Sequence, residues 1–173
     1  MVGARPDRRS FLTGLAALPV MAGWPAAARS DEFIDLDWED LLPEGETTVP
    51  YALRSLLPHD ESRPMSSAQP ASSGVRSDWN GQIVRLPGFI VPIETSGSGV
   101  TAFILVPFVG ACVHVPPPPA NQLVFVTTPT PYETEGLFEP VNVIGMFGVS
   151  SLSTHIADIG YALSAEKIEP FQL

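Results

Sequence analysis

The sequence predicts a mainly β protein: a small OB-like β-barrel of five strands, closed or partly open, preceded by short helical turns. Three observations predict it. Five apolar, β-rich runs follow one another within residues 82–173. Glycines stand inside these runs, at Gly88, Gly145 and Gly148, where the bent strands of small barrels need them. No stretch of that region carries the period of a long helix. A small β-sandwich is the alternative architecture. It stays open because the connection at 129–139 is short and holds Pro129 and Pro131, where an OB-fold usually carries a helix.

Residues 1–28 read as an export leader. Arg5, Arg8 and Arg9 form a basic start, Phe11 to Gly23 is a short apolar stretch, and Ala26 to Ala28 offers a small-residue cleavage site. Arg8-Arg9-Ser10-Phe11-Leu12 matches the twin-arginine signature, which predicts a periplasmic protein exported by that route. The stretch is too short for a membrane span and contains Pro19.

Residues 29–57 read as an acidic arm. Trp38, Leu41 and Leu42 have helical spacing, Asp37 is placed to cap such a turn and Pro43 to close it. Residues 58–81, rich in Ser, Pro and Gly, read as a flexible surface loop. The OB-like domain then spans 82–173. Its first strand runs from Gln82 to Ile93 with a bulge expected at Gly88. Thr95–Gly99 is a turn, Val100–Phe108 the second strand and Leu123–Thr128 the third. Pro129–Glu139 is a polar connection and Val141–Val149 the fourth strand. Ser150–Asp158 is a short helical or turn segment, and Tyr161–Phe171 the fifth strand.

Charge narrows the partners. The chain carries a net −10. Three of its nine basic residues and one of its nineteen acidic ones fall in the leader, which leaves the remainder at −12. A polyanion does not bind nucleic acid by neutralising phosphates, so no nucleic-acid partner is expected. No later segment is long and apolar enough to span a membrane as a helix.

The densest cluster of chemistry is Gly110–Gln122, GACVHVPPPPANQ. Cys112 is the only cysteine, and His114 lies two residues on. In extended chain both side chains leave the same face, so a soft thiolate and an imidazole point together, a pairing suited to zinc first and copper second. A metal needs a further ligand, and His155, in the loop after the fourth predicted strand, is the candidate; His59 is the other histidine. Two plainer readings stand beside this one. Cys112 can be a small buried apolar residue with His114 as a hydrogen-bonded neighbour, or a thiol kept for a redox partner. As the sole cysteine of an oxidising compartment, it is expected to be shielded by burial or by a ligand.

A Cys-His nucleophile pair fits less well. Same-face neighbours on a strand are roughly 6–7 Å apart at Cα, beyond a direct hydrogen bond unless the chain turns. No phosphate loop, nucleophile elbow or H-E-x-x-H helix is present. Pro116, Pro117, Pro118 and Pro119 predict stiff polyproline II, either as a rim to the site or as a platform for an aromatic groove on a partner. Asn121 and Gln122 are expected at the same partner-facing loop, where their amides satisfy backbone groups at its exit.

Trp38…Leu41…Pro43, the run Gly88 to Pro92, and Leu105 to Val115 continuing into PPPPANQ resemble domain-of-unknown-function family 3299, a group of secreted bacterial proteins. The likeness covers about Trp38 to Phe171. It implies a periplasmic location and a single domain. Members of that family are often encoded beside transport components and sometimes under zinc-responsive control, which implies a link to metal supply. No catalytic residues carry over. The expected function is a non-enzymatic periplasmic module that binds a transition metal through Cys112, His114 and His155. The alternative is a metal-free interaction subunit of an envelope ABC-type transport complex.

Overall fold

Five strands close into a barrel, and the register shows how. The computed structural model describes residues 33–46, 69–112 and 117–171. After a two-residue strand β1 (Ile34–Asp35) come β2 (Ile83–Ser96), β3 (Gly99–Val106), β4 (Val124–Tyr132), β5 (Pro140–Ser153) and β6 (Asp158–Pro170). Their order is β1-β2-β3-β4-β6-β5, and β5 returns to pair with β2. The first half of β2, Ile83 to Phe89, pairs with β5, and the second half, Phe89 to Ser96, pairs with β3. All barrel pairs are antiparallel except β4 with β6, which run parallel from Val124↔Tyr161 to Thr127↔Ser164. This is the Greek-key closure of an OB-like barrel, and the β2–β5 ladder rules out the sandwich. The connection 133–139 contains no helix.

Alternation fills the barrel. Val84, Leu86 and Ile90 of β2, Phe103 and Leu105 of β3, Val124 and Val126 of β4, and Tyr161 and Leu163 of β6 face inward as one buried cluster. Gly88 also belongs to that face. A Cβ there would stand 2.7 Å from Leu105 Cγ, so the missing side chain makes room for leucine. The bulge expected at Gly88 lies further along, where the β2–β3 register slips between Pro92 and Thr95.

The acidic arm closes one end of this core. Leu36 and Leu41 join the interior cluster, with Trp38 and Trp79 packed against it. Trp38 Nε1 donates to the Pro87 carbonyl at 2.7 Å. The helical turns expected over Trp38–Leu42 are not helix. Two successive turns, Asp40 N to Asp37 O and Leu42 N to Glu39 O, place the same leucines inward. Pro43 leaves too few residues to nucleate a helix. The predicted cap is reversed as well: the Asp37 N–H donates to Asp40 Oδ2 at 2.9 Å. The described part of the expected loop, 69–81, has no regular structure, yet it is tied down at Gln69, Gly74 and Arg76 by bonds given below.

Candidate functional site

β3 is buried on both faces, as its unbroken AFILV run requires. Phe103 and Leu105 face the interior. Ile104 and Val106 face outward into a second cluster with Val91, Ala111, Leu123, Ala157 and Ile159. Two loops cover that outer face, one carrying Cys112 and the other His155.

The first loop follows β3. The chain turns at Gly110, with φ +94°, and at Cys112, with φ +68°, a left-handed value uncommon for a residue with a Cβ. Ala111 is fully buried between them, and Cys112 packs half-buried against the outer cluster. Burial pushes the thiol pKa up to about 11, so at neutral pH the metal-free side chain is a thiol. A thiol in this state is a poor nucleophile, which weighs against covalent catalysis.

The second loop joins β5 to β6. Thr154 Oγ1 accepts from the N–H groups of Ile156 (3.2 Å) and Ala157 (3.0 Å), and Thr154 N donates to Ala157 O at 2.9 Å. This turn sends Ile156 and Ala157 into the outer cluster and leaves His155 exposed. Cys112 and the His155 turn therefore border one apolar cluster. His114, with residues 113–116, and His59 lie outside the described residues. Among the described residues, no three His, Cys, Asp or Glu side chains gather as a metal-binding group.

Within the described part of the proline run, residues 117–119, the chain itself holds Pro118. Pro118 is buried, and its carbonyl accepts from Gln69 Nε2 at 2.8 Å. The same Gln69 side chain exchanges two 2.8 Å bonds with the backbone of Asp158 at the start of β6. Pro119 is in polyproline II conformation, φ −53° and ψ 153°, and leads into a 3₁₀ turn, Ala120–Gln122. That turn lies so close to β6 that a Cβ on Gly160 would stand 2.7 Å from Ala120 O.

Asn121 and Gln122 were expected to face a partner, but they are 1 % and 5 % exposed. They do satisfy backbone groups, mostly those of distant segments. Asn121 Nδ2 donates to Gly74 O at 2.9 Å, and Gln122 Nε2 to Trp38 O at 2.9 Å. Both amide oxygens are buried without a donor among the described residues. The reverse orientation would set oxygen against carbonyl oxygen, so the amides are fixed as they stand. Tyr161 completes the clasp. Its hydroxyl donates to Leu41 O and accepts from Arg76 N, each at 2.7 Å.

A shallow groove of about 390 Å³ crosses β4, β6 and β5 between Phe125, Ser164 and Met146, and neither Cys112 nor His155 lines it. Sequence reasoning missed Gln69 and Thr154, which fix the two loops. Gln69 sits in the featureless SSAQPASSG stretch, where nothing local marks it.

Comparison with known proteins agrees with this fold. The sequence model of a protein family of unknown function, DUF3299, matches residues 38–170. The crystal structure of a DUF3299 family protein from Pseudomonas aeruginosa is similar over 82 % of this chain and 98 % of its own, with a TM-score of 0.66 and 37 % sequence identity. No curated protein matches the chain.

Proposed function

The chain belongs to the DUF3299 family, and on that footing we propose that it is a periplasmic, non-enzymatic module whose Cys112 rim takes a transition metal, zinc first. What supports the reading is the single apolar cluster bordered by both Cys112 and the His155 turn. Cys112, His114 and His155 are the proposed ligands, with the remaining position left to solvent or a partner's side chain. The metal would supply charge to hold the thiolate that burial disfavours. Binding must therefore release the Cys112 proton, and affinity rises with pH below the raised thiol pKa. The twin-arginine leader fits this reading, since that route exports proteins already folded.

Metal content tests it. Protein purified from its native compartment is expected to carry near-stoichiometric zinc, and Cys112→Ser is expected to lose most of it. Substoichiometric zinc and copper in the parent, unchanged by Cys112→Ser, would overturn the reading.

A second reading has its own observation. Among the described residues, Arg76, Arg85 and Lys167 are the basic side chains, and each is ion-paired, to Asp78, Asp35 and Glu169. The surplus acidic surface suits a metal-free subunit of an envelope transport complex, bound through electrostatic complementarity. Pull-down from crosslinked envelopes would recover transporter components under this reading. A protein that comes down alone and sediments as a monomer speaks against it.

A further inference from the structure

The groove across β4, β6 and β5 sets small side chains beside an aromatic ring. The two ladders that form it keep an unbroken register over residues 124–127, 161–164 and 146–149. Residues paired across strands share a face. One row across the three strands is therefore Phe125, Ala162 and Gly148, and the next is Thr127, Ser164 and Met146. All six line the groove of about 390 Å³. Ala162 and Gly148 keep the floor low, and the two large side chains, Phe125 and Met146, stand at opposite corners. Three strands at the usual spacing make the groove roughly 10 Å across.

Polar groups are built into it. Thr127 and Ser164 are exposed and bring two hydroxyls. Asn80 lines the groove with β5, and its Oδ1 accepts from Val149 N at 3.1 Å. A Cβ on Gly148 would stand 3.0 Å from that same oxygen, so the glycine gives the amide its room. Phe125 is held from behind, because it also packs half-buried against the outer cluster.

The lining restricts the occupant. None of the lining residues is ionisable, in a chain of net −10. A charged ligand would lose hydration there and meet no counter-charge. β4, β6 and β5 are each paired on both sides, so no backbone is left to pair with an added peptide strand. The volume is at the low end for small-molecule sites, and a shallow groove leaves the ligand's far side in water. The ligand therefore needs an apolar face and polar, uncharged edges. The face of an aromatic ring attracts the polarised C–H groups of such a ligand. Hydroxyls and a side-chain amide both donate and accept, as ligand hydroxyls require.

We propose that this groove binds a neutral sugar, its C–H face on Phe125 and its hydroxyls on Thr127, Ser164 and Asn80. The site stands apart from both functions proposed above and requires no metal at Cys112.

The test titrates the labelled protein with cellobiose, with N,N′-diacetylchitobiose and with an amphipathic Leu/Lys peptide, and follows amide NMR shifts. At least one disaccharide is expected to give saturable shifts at 125–127, 146–148 and 162–164, and none at 117–122. Phe125→Ala is expected to weaken binding about tenfold. Because Phe125 also packs on the outer cluster, Thr127→Val and Ser164→Ala provide exposed variants. Each is expected to weaken binding severalfold with the melting temperature unchanged. Cys112→Ser is expected to bind as the parent does. The proposal is overturned if neither disaccharide shifts these amides, or if the shifts fall elsewhere. It is also overturned if the Thr127 and Ser164 variants both bind like the parent. Shifts at the groove from the peptide alone would overturn it in favour of a protein-docking face. Metal content plays no part in the readout, so failure here leaves the metal reading to its own test.

Discussion

Gly145→Ala is expected to unfold the barrel or cost it more than about 3 kcal/mol, because the added carbon has no place to go. An alanine Cβ there would overlap Ser164 O and stand 2.9 Å from Ala165 Cα. Both neighbours are β6 backbone, which cannot yield as a flexible side chain would. The position lies where the β5–β6 register slips between Ile144 and Gly145, so relief would have to break the ladder that closes the barrel. Gly97→Ala supplies the contrast. Its φ is +63° but nothing lies within 4 Å of its Cβ, so backbone conformation alone should cost roughly 1–2 kcal/mol. Urea unfolding measures both. A Gly145→Ala variant within about 1 kcal/mol of the parent would show that the strands approach less closely than described.

Tyr161→Phe is expected to destabilise by roughly 2–3 kcal/mol while leaving the ring's packing intact, because it strands the Leu41 carbonyl and the Arg76 N–H. The tyrosine is fully buried, and its ring lies 5.0 Å from that of Phe147. The lost hydroxyl joins three segments far apart in sequence, at Leu41, Arg76 and β6. Exchange of the Leu36–Leu42 and Arg76–Gln82 amides should therefore accelerate before that of β3. Uniform acceleration across the barrel, or a cost near zero, would contradict the clasp.

The strands were legible because each is an apolar, β-rich run bounded by turn residues; alternation marks the inward face in β2 (Val84, Leu86), whereas β3 is an unbroken run buried on both faces. Their ends were less so. Ser150–Ser153, expected as a turn, extends β5, since Leu152 pairs with Ile159 and Ser153 with Asp158 across a bulge. Pro129 and Pro131 suggested a connection, yet β4 continues to Tyr132, which pairs with Val100. A register shift lets the strand carry both prolines there. At Trp38–Leu42 the apolar spacing gave the buried leucines correctly but not the hydrogen bonds, because i and i+3 coincide in a turn and in a helix.

The site was half legible. A shielded Cys112 was the expectation for a sole cysteine in the oxidising compartment that the sequence predicts, and the structure places it half-buried on the outer cluster. What sequence could not show is that the segment 118–122 is tied to distant parts of the chain. Gln69, Asn121 and Gln122 make those contacts through side-chain amides whose targets lie tens of residues away. No local pattern encodes such a pairing.

The alkylation rate of Cys112 with and without a chelator bears most directly on whether that residue is a ligand. With metal bound, the native thiolate should react slowly, and chelation should speed alkylation severalfold and lower the melting temperature. Cys112→Ser should abolish the chelator's effect on melting. A rate unmoved by chelation would mean that burial alone shields the thiol, and rapid alkylation of the untreated protein would mean that nothing does; either result would contradict a metal at Cys112.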